Sequence, residues 1–108
     1  MSSRFVNSLR TRGEAFKLGS ATSDPMKVRA QVLEAWDTIV VDADPSASVR
    51  SLKQLALREL YPVDRPEEEF VVKLNGFELL DEDAPLSASG ARNGSTFLIT
   101  DRRRRPVD

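Results

Sequence analysis

Two tight carboxylate clusters, Glu67-Glu68-Glu69 and Asp81-Glu82-Asp83, are the side chains in this sequence best suited to chemistry. Paired carboxylates serve hydrolases as acid and base, and their oxygens suit hard cations such as calcium. Neither cluster has the surroundings such chemistry needs. There is no EF-hand spacing with its mid-loop glycine, no Gly-rich phosphate loop and no nucleophile motif. Both clusters therefore read as solvated acidic loops. The 108 residues also contain no histidine and no cysteine. This removes the usual general base, the commonest transition-metal ligands, thiolate nucleophiles and disulfides. No catalytic residue, metal site or cofactor is expected, and the reading is a protein that is not an enzyme.

The most basic run is Arg102-Arg103-Arg104-Arg105. Such a run attracts nucleic acid or anionic lipid. Here no stacking aromatics are interleaved with it, and the body it follows is acidic. Residues 26–101 hold 8 Lys and Arg against 14 Asp and Glu, a balance of −6, while residues 1–25 and 102–108 are basic at +2 and +3. The run reads as a solvated basic tail over 102–108, or a docking peptide for an acidic partner. Nucleic acid is not expected as a partner.

These residues must be positioned by one small domain, since 108 residues with 40% hydrophobic content suit one core. No apolar run is long enough to span a bilayer. Residues 1–25, rich in Ser, Thr, Gly and Arg, read as a flexible N-terminal extension, the alternative being a targeting or docking segment. From Met26 the apolar residues alternate, with Met26, Val28, Ala30 and Val32 on one side, and after Glu34–Asp37 the alternation resumes at Ile39, Val41 and Ala43. Period two of this kind predicts a hairpin of two half-buried strands. Val49, Leu52, Ala56 and Leu60, widened by Leu55, switch to helical spacing, with Lys53, Arg58 and Glu59 off the stripe. Ser48 is the expected N-cap, and Tyr61-Pro62 ends the helix. Phe70, Val72 and Leu74 form a third strand, Asn75-Gly76 a tight turn, Phe77–Leu80 a short fourth strand and Ser95–Thr100 the last. The expectation is an α+β domain over 26–101, a mixed five-stranded sheet packed on one main helix. Its core should include Val28, Ile39, Leu52, Ala56, Val72 and Phe97.

In order along the chain, these pieces resemble ubiquitin and its β-grasp relatives. Asp44-Pro45-Ser46-Ala47-Ser48-Val49 is similar to the acid-Pro-Ser lead-in to the ubiquitin helix. Leu74-Asn75-Gly76-Phe77-Glu78-Leu79 is similar to its turn from the third strand into the fourth, Leu86–Ala91 to its Leu-Ser-Asp segment, and Ser95–Ile99 to its last strand. Within that group the run from Leu86 through Ile99 resembles the small bacterial YukD/EsaB-type proteins. That resemblance implies a cytoplasmic accessory factor of type VII secretion, binding another protein as a monomer. The Gly-Gly end that ubiquitin uses for conjugation corresponds to Arg104-Arg105-Pro106-Val107-Asp108, so a non-conjugating domain is expected. The alternative is an atypical modifier conjugated to target proteins.

Ubiquitin's apolar patch corresponds to Leu33, Lys73 and Thr100, two of them no longer apolar. Alternation places Leu33, Val40, Val71 and Leu98 on the sheet face away from the helix, with Arg29 and Lys73 beside them. These residues and Trp36, at the hairpin tip, are the candidate partner-binding set. Trp36 reads either as a local staple on Leu33 or as an interface anchor.

Overall fold

The computed structural model describes residues 15–20, 24–62 and 64–102. The first hairpin pairs β2 (Met26–Val32) with β3 (Asp37–Ala43) in antiparallel register, Ala30 facing Ile39. Its link is a single 3-10 turn at Leu33–Ala35, closed by Trp36 in left-handed backbone at φ 53. The helix α1 spans Val49–Leu60. Ser48 caps it as expected, its Oγ accepting from the Ser51 amide at 3.1 Å. Two more free amides of the first turn donate to loop carbonyls, Val49 to Ala84 and Arg50 to Glu82. The acidic loop thus closes the helix N-terminus as well as the side-chain cap does.

β4 (Phe70–Leu74) turns through Asn75 and Gly76 into the two-residue β5 (Phe77–Glu78). Both turn residues have positive φ, 54 and 86, which is the geometry a two-residue hairpin requires and an Asn-Gly pair supplies. The expected fourth strand over Phe77–Leu80 is therefore shorter, ending at Glu78. β6 (Thr96–Asp101) runs parallel to β2 on one side and antiparallel to β4 on the other, at the centre of the sheet.

The sheet has six strands, not the five expected. The extra one is β1 (Phe16–Leu18), from the segment expected to be a flexible extension. It runs parallel to β3, with Phe16 opposite Val41 and Leu18 opposite Ala43, and gives the order β1-β3-β2-β6-β4-β5. Phe16 and Leu18 pack against the core, and the Asp44 amide donates to the Leu18 carbonyl at 2.9 Å. Gly19 ends the strand at φ 82, and a Cβ there would lie 2.8 Å from that of Asp44. Only glycine fits that approach. The rest of the expected extension, residues 1–14 and 21–23, lies outside the described residues.

α1 lies on one face of the sheet. Val28, Ile39, Leu52, Ala56, Val72 and Phe97 are all within 1% of full burial, so the expected core is found. Lys53 is also buried, at 1% exposure. It was expected off the apolar stripe, but it stands four residues after Val49 and three before Ala56, which is the stripe itself. Its ammonium donates to the Glu67 and Phe70 carbonyls at 2.9 and 3.0 Å and reaches Glu82 Oε1 at 2.7 Å. The two acidic clusters are accordingly not simple solvated loops. Glu67, Glu82 and Asp83 also converge on Arg50. Burial pushes the Glu67 carboxyl up, but hydrogen bonds from Gln54 and Arg50 and the charge of Lys53 hold it below its ordinary value.

Removing residues 1–25 strips two half-buried apolar side chains from the core edge and unpairs part of β3. The expected loss is about 2 kcal/mol, a drop in Tm on the order of 10 °C. The melting curve of a chain starting at Ala15 against one starting at Met26 isolates the strand, and equal stability of the two would show that β1 adds nothing.

Candidate functional site

The face of the sheet away from α1 is the surface left for a partner. Strand pleating decides its composition. On β2, Lys27, Arg29 and Gln31 point away from the helix, because Val28, Ala30 and Val32 are buried against it. The same alternation places Thr38, Val40 and Asp42 of β3, Leu98 and Thr100 of β6, and Val71 and Lys73 of β4 on this face.

Pairing register then fixes the neighbours. Val40, Arg29 and Thr96 form one cross-strand row. Thr38, Gln31, Leu98, Lys73 and Glu78 form the next. Arg29 is exposed, while Val40, Leu98 and Lys73 are half-buried. Arg29 and Val40 are thus in direct cross-strand contact range, as are Leu98 and Lys73, within one continuous surface.

Leu33 and Trp36 stand at one end of this surface, on the β2–β3 link. Leu33 is half-buried, whereas Trp36 is 79% exposed. Its backbone amide donates to the Leu33 carbonyl at 3.1 Å. The staple reading of Trp36 is therefore replaced by an aromatic standing in solvent.

Val71 is corrected. It lies on the expected face, but it is fully buried and offers nothing to a partner. Its register partner Thr100 is buried as well. The Glu34 carboxylate reaches down from the hairpin link to accept from the Asp101 amide at 3.0 Å and from Thr100 Oγ1 at 3.4 Å. This end of the face is covered, so the accessible set contracts to Arg29, Leu33, Trp36, Val40, Lys73 and Leu98.

Arg102 is corrected too. It is exposed, as a tail residue would be, but tethered to the domain. Its guanidinium donates to the Glu68 carbonyl at 3.2 and 3.3 Å and lies 3.7 Å from Glu78. Arg103, Arg104 and Arg105 lie outside the described residues.

Sequence reasoning missed three surface groups. Phe77 and Leu80 are 75% and 83% exposed at the edge of the sheet around β5. Alternation alone reads Phe77 as an inward partner of Leu74, and gives no sign that a two-residue edge strand leaves it in water. Lys17 was missed because β1 was missed. It sits between core-facing Phe16 and Leu18, opposite Asp42, and so joins the open face.

Among the described residues no helix is long and apolar enough to cross a membrane. No protein-family model and no curated protein matches the sequence. Solved structures do match. The ubiquitin-like domain of an Arabidopsis thaliana protein superposes with a TM-score of 0.61 at 20% identity, covering 83% of this chain and 92% of that one. The ubiquitin of Caldiarchaeum subterraneum gives 0.60 at 17% identity, covering 77% and 96%. A de novo designed protein based on ubiquitin gives 0.61 at 20% identity, covering 81% and all of the design. At these identities the likeness establishes the fold, which is ubiquitin-like, and nothing finer.

Proposed function

We propose that this ubiquitin-like domain is a non-catalytic protein-interaction module that holds a partner protein against the open face of its sheet, with Trp36 as the anchor. Trp36 carries the reading. A large aromatic group is 79% exposed at φ 53, where any Cβ is disfavoured. The fold gains little from tryptophan at that position, and glycine would suit the backbone better. Strained backbone concentrates at binding sites, and tryptophan is the residue type most enriched among interface hot spots. Leu33 of the same turn, with Val40 and Leu98 further along the face, supplies the apolar surface.

Within this class we place the domain with the YukD/EsaB-type accessory factors of bacterial type VII secretion, working in the cytoplasm as a monomer and without conjugation. The run from Leu86 through Ile99 supports this placement. The 3-10 turn at Leu86–Ala88 seats buried Leu86 as its apolar anchor before the Asn93-Gly94 turn into β6.

Trp36→Gly separates binding from folding. Stability should stay level or rise by about 1 kcal/mol as the left-handed strain is relieved. Affinity for a partner captured from native lysate should fall by about 2 kcal/mol or more. Denaturant unfolding followed by circular dichroism and titration calorimetry read the two effects. Binding equal to the parent would remove Trp36 from the interface. Covalent adducts that survive denaturing gels would move the protein to the modifier class.

A further inference from the structure

The described residues carry ten Lys and Arg against fifteen Asp and Glu, a balance of −5. The open face departs from that balance. Register and pleating place Lys17, Lys27, Arg29 and Lys73 on it against Asp42 and Glu78, a balance of +2. Asp37 alternates with buried Ile39 and so faces the helix side. The Glu34 carboxylate over Thr100 and the Arg102 guanidinium beside Glu78 add one charge of each sign and leave the balance at +2. The loop that leads into β6 adds exposed Arg92 at the rim, because the Gly94 amide donates to the Lys27 carbonyl and the Arg29 amide to the Ser95 carbonyl.

The pairing state is equally one-sided. On the helix side, Arg50, Lys53 and Arg65 are each matched by carboxylates. On the open face Lys27 pairs with Asp42 at 2.7 Å, while Lys17, Arg29 and Lys73 make no ion pair among the described residues. Three cations thus make no close ion pair among the described residues on the one face the helix does not cover, although register sets Lys17 opposite Asp42 and Lys73 opposite Glu78, in a domain that is acidic elsewhere.

Resting on the interaction reading above, we infer that the open face is a cationic platform whose partner is an acidic protein segment studded with aliphatic side chains. The carboxylates of that segment pair with Lys17, Arg29 and Lys73, and its apolar groups cover Val40, Leu98 and Trp36. Complementary charge of this kind speeds encounter and rejects wrong partners. A polyanion such as nucleic acid fits less well. The cations are interleaved with Val40 and Leu98, and Trp36 is a single aromatic at one end of the face where a nucleic-acid strand needs a series of stacking platforms.

The test is selection of a random peptide display library on the immobilised full chain, followed by titration of selected peptides. Titration calorimetry reads binding in every variant, since Trp36→Gly removes the only tryptophan. The expected winners are net negative and rich in aliphatic residues. Arg29→Glu combined with Lys73→Glu should weaken them about tenfold or more, with the circular dichroism spectrum unchanged, and parent affinity should fall as salt rises. Winners that need Trp36 but are neutral or basic would overturn the acidic partner and leave the interaction reading standing. Acidic winners that bind Trp36→Gly and the charge-reversed chain as tightly as the parent would overturn both. Loss of binding on replacing Arg103, Arg104 and Arg105 by serine would assign the acidic ligand to the basic run instead. Tighter, salt-dependent binding of a DNA oligonucleotide, or a dimer of the chain abolished by the charge reversal, would also overturn the inference.

Discussion

Lys53→Ala is expected to lower the stability of the domain by about 3–5 kcal/mol. An ammonium has three donors, and here each has its own acceptor: the Glu67 carbonyl, the Phe70 carbonyl and the Glu82 carboxylate. The three acceptors come from the turn before β4, the start of β4 and the loop that caps α1. Removing the amine takes the nearest cation from a carboxylate that is only 11% exposed, leaving it Arg50 at 3.6 Å, and takes a donor from two carbonyls, of which Glu67 keeps the Phe70 amide. A domain of this size holds about 5–15 kcal/mol in total, so the variant should sit near its unfolding midpoint under mild conditions. Lys53→Met keeps most of the volume and should lose less, and adding Glu82→Leu should recover part of the remainder, because an apolar pair of similar size carries no desolvation cost. Urea unfolding of the single and double variants gives the coupling. A loss below about 1 kcal/mol for Lys53→Ala would show that water, not Glu82, satisfies the amine.

Much of this architecture is legible in the sequence because local chemistry and global fold agree. Alternation marks both strands of the first hairpin, the 49–52–56–60 spacing marks α1, and Ser48 and Asn75-Gly76 mark a cap and a turn by the groups they provide. Where reading failed, the deciding interaction is non-local. Phe16–Leu18 is three residues long, too short for any period to register, and becomes a strand only because β3 offers it an edge. Lys53 occupies an apolar-stripe position. Its type suggests solvent, and only the fold brings three acceptors to it from 14 to 29 residues further along the chain. Val71 alternates correctly onto the open face, yet accessibility depends on how the hairpin link closes over Thr100, which alternation does not encode. The candidate site was therefore legible as a face but not as a surface. Pleating predicts which way Arg29, Val40, Lys73 and Leu98 point, while the solvent exposure of Trp36 follows from a backbone angle that no spacing reveals.

Leu52→Ala should cost about 2–5 kcal/mol, the range for leucines deleted from a packed core. Leu52 is fully buried on the stripe of α1 that meets the sheet. Across from it lie hydrogen-bonded strands, which cannot shift into the void without breaking their pairing, so the upper half of the range is expected. Leu57, half-buried at the margin of the same core, should cost about half as much when truncated, because the protein there can relax. Unfolding in urea with an unchanged slope checks both, and a loss under about 0.5 kcal/mol at Leu52 would mean that the packing face of α1 is misassigned. The same variant separates fold from function. Leu52 lies on the helix side of the sheet and Trp36, Arg29 and Lys73 do not, so the folded fraction of Leu52→Ala should bind a partner with parental affinity, whereas Trp36→Gly should fold as well as the parent and bind poorly. Destabilisation without loss of intrinsic affinity in one variant, and the reverse in the other, is the signature of a domain whose core and contact surface occupy opposite faces of a single sheet.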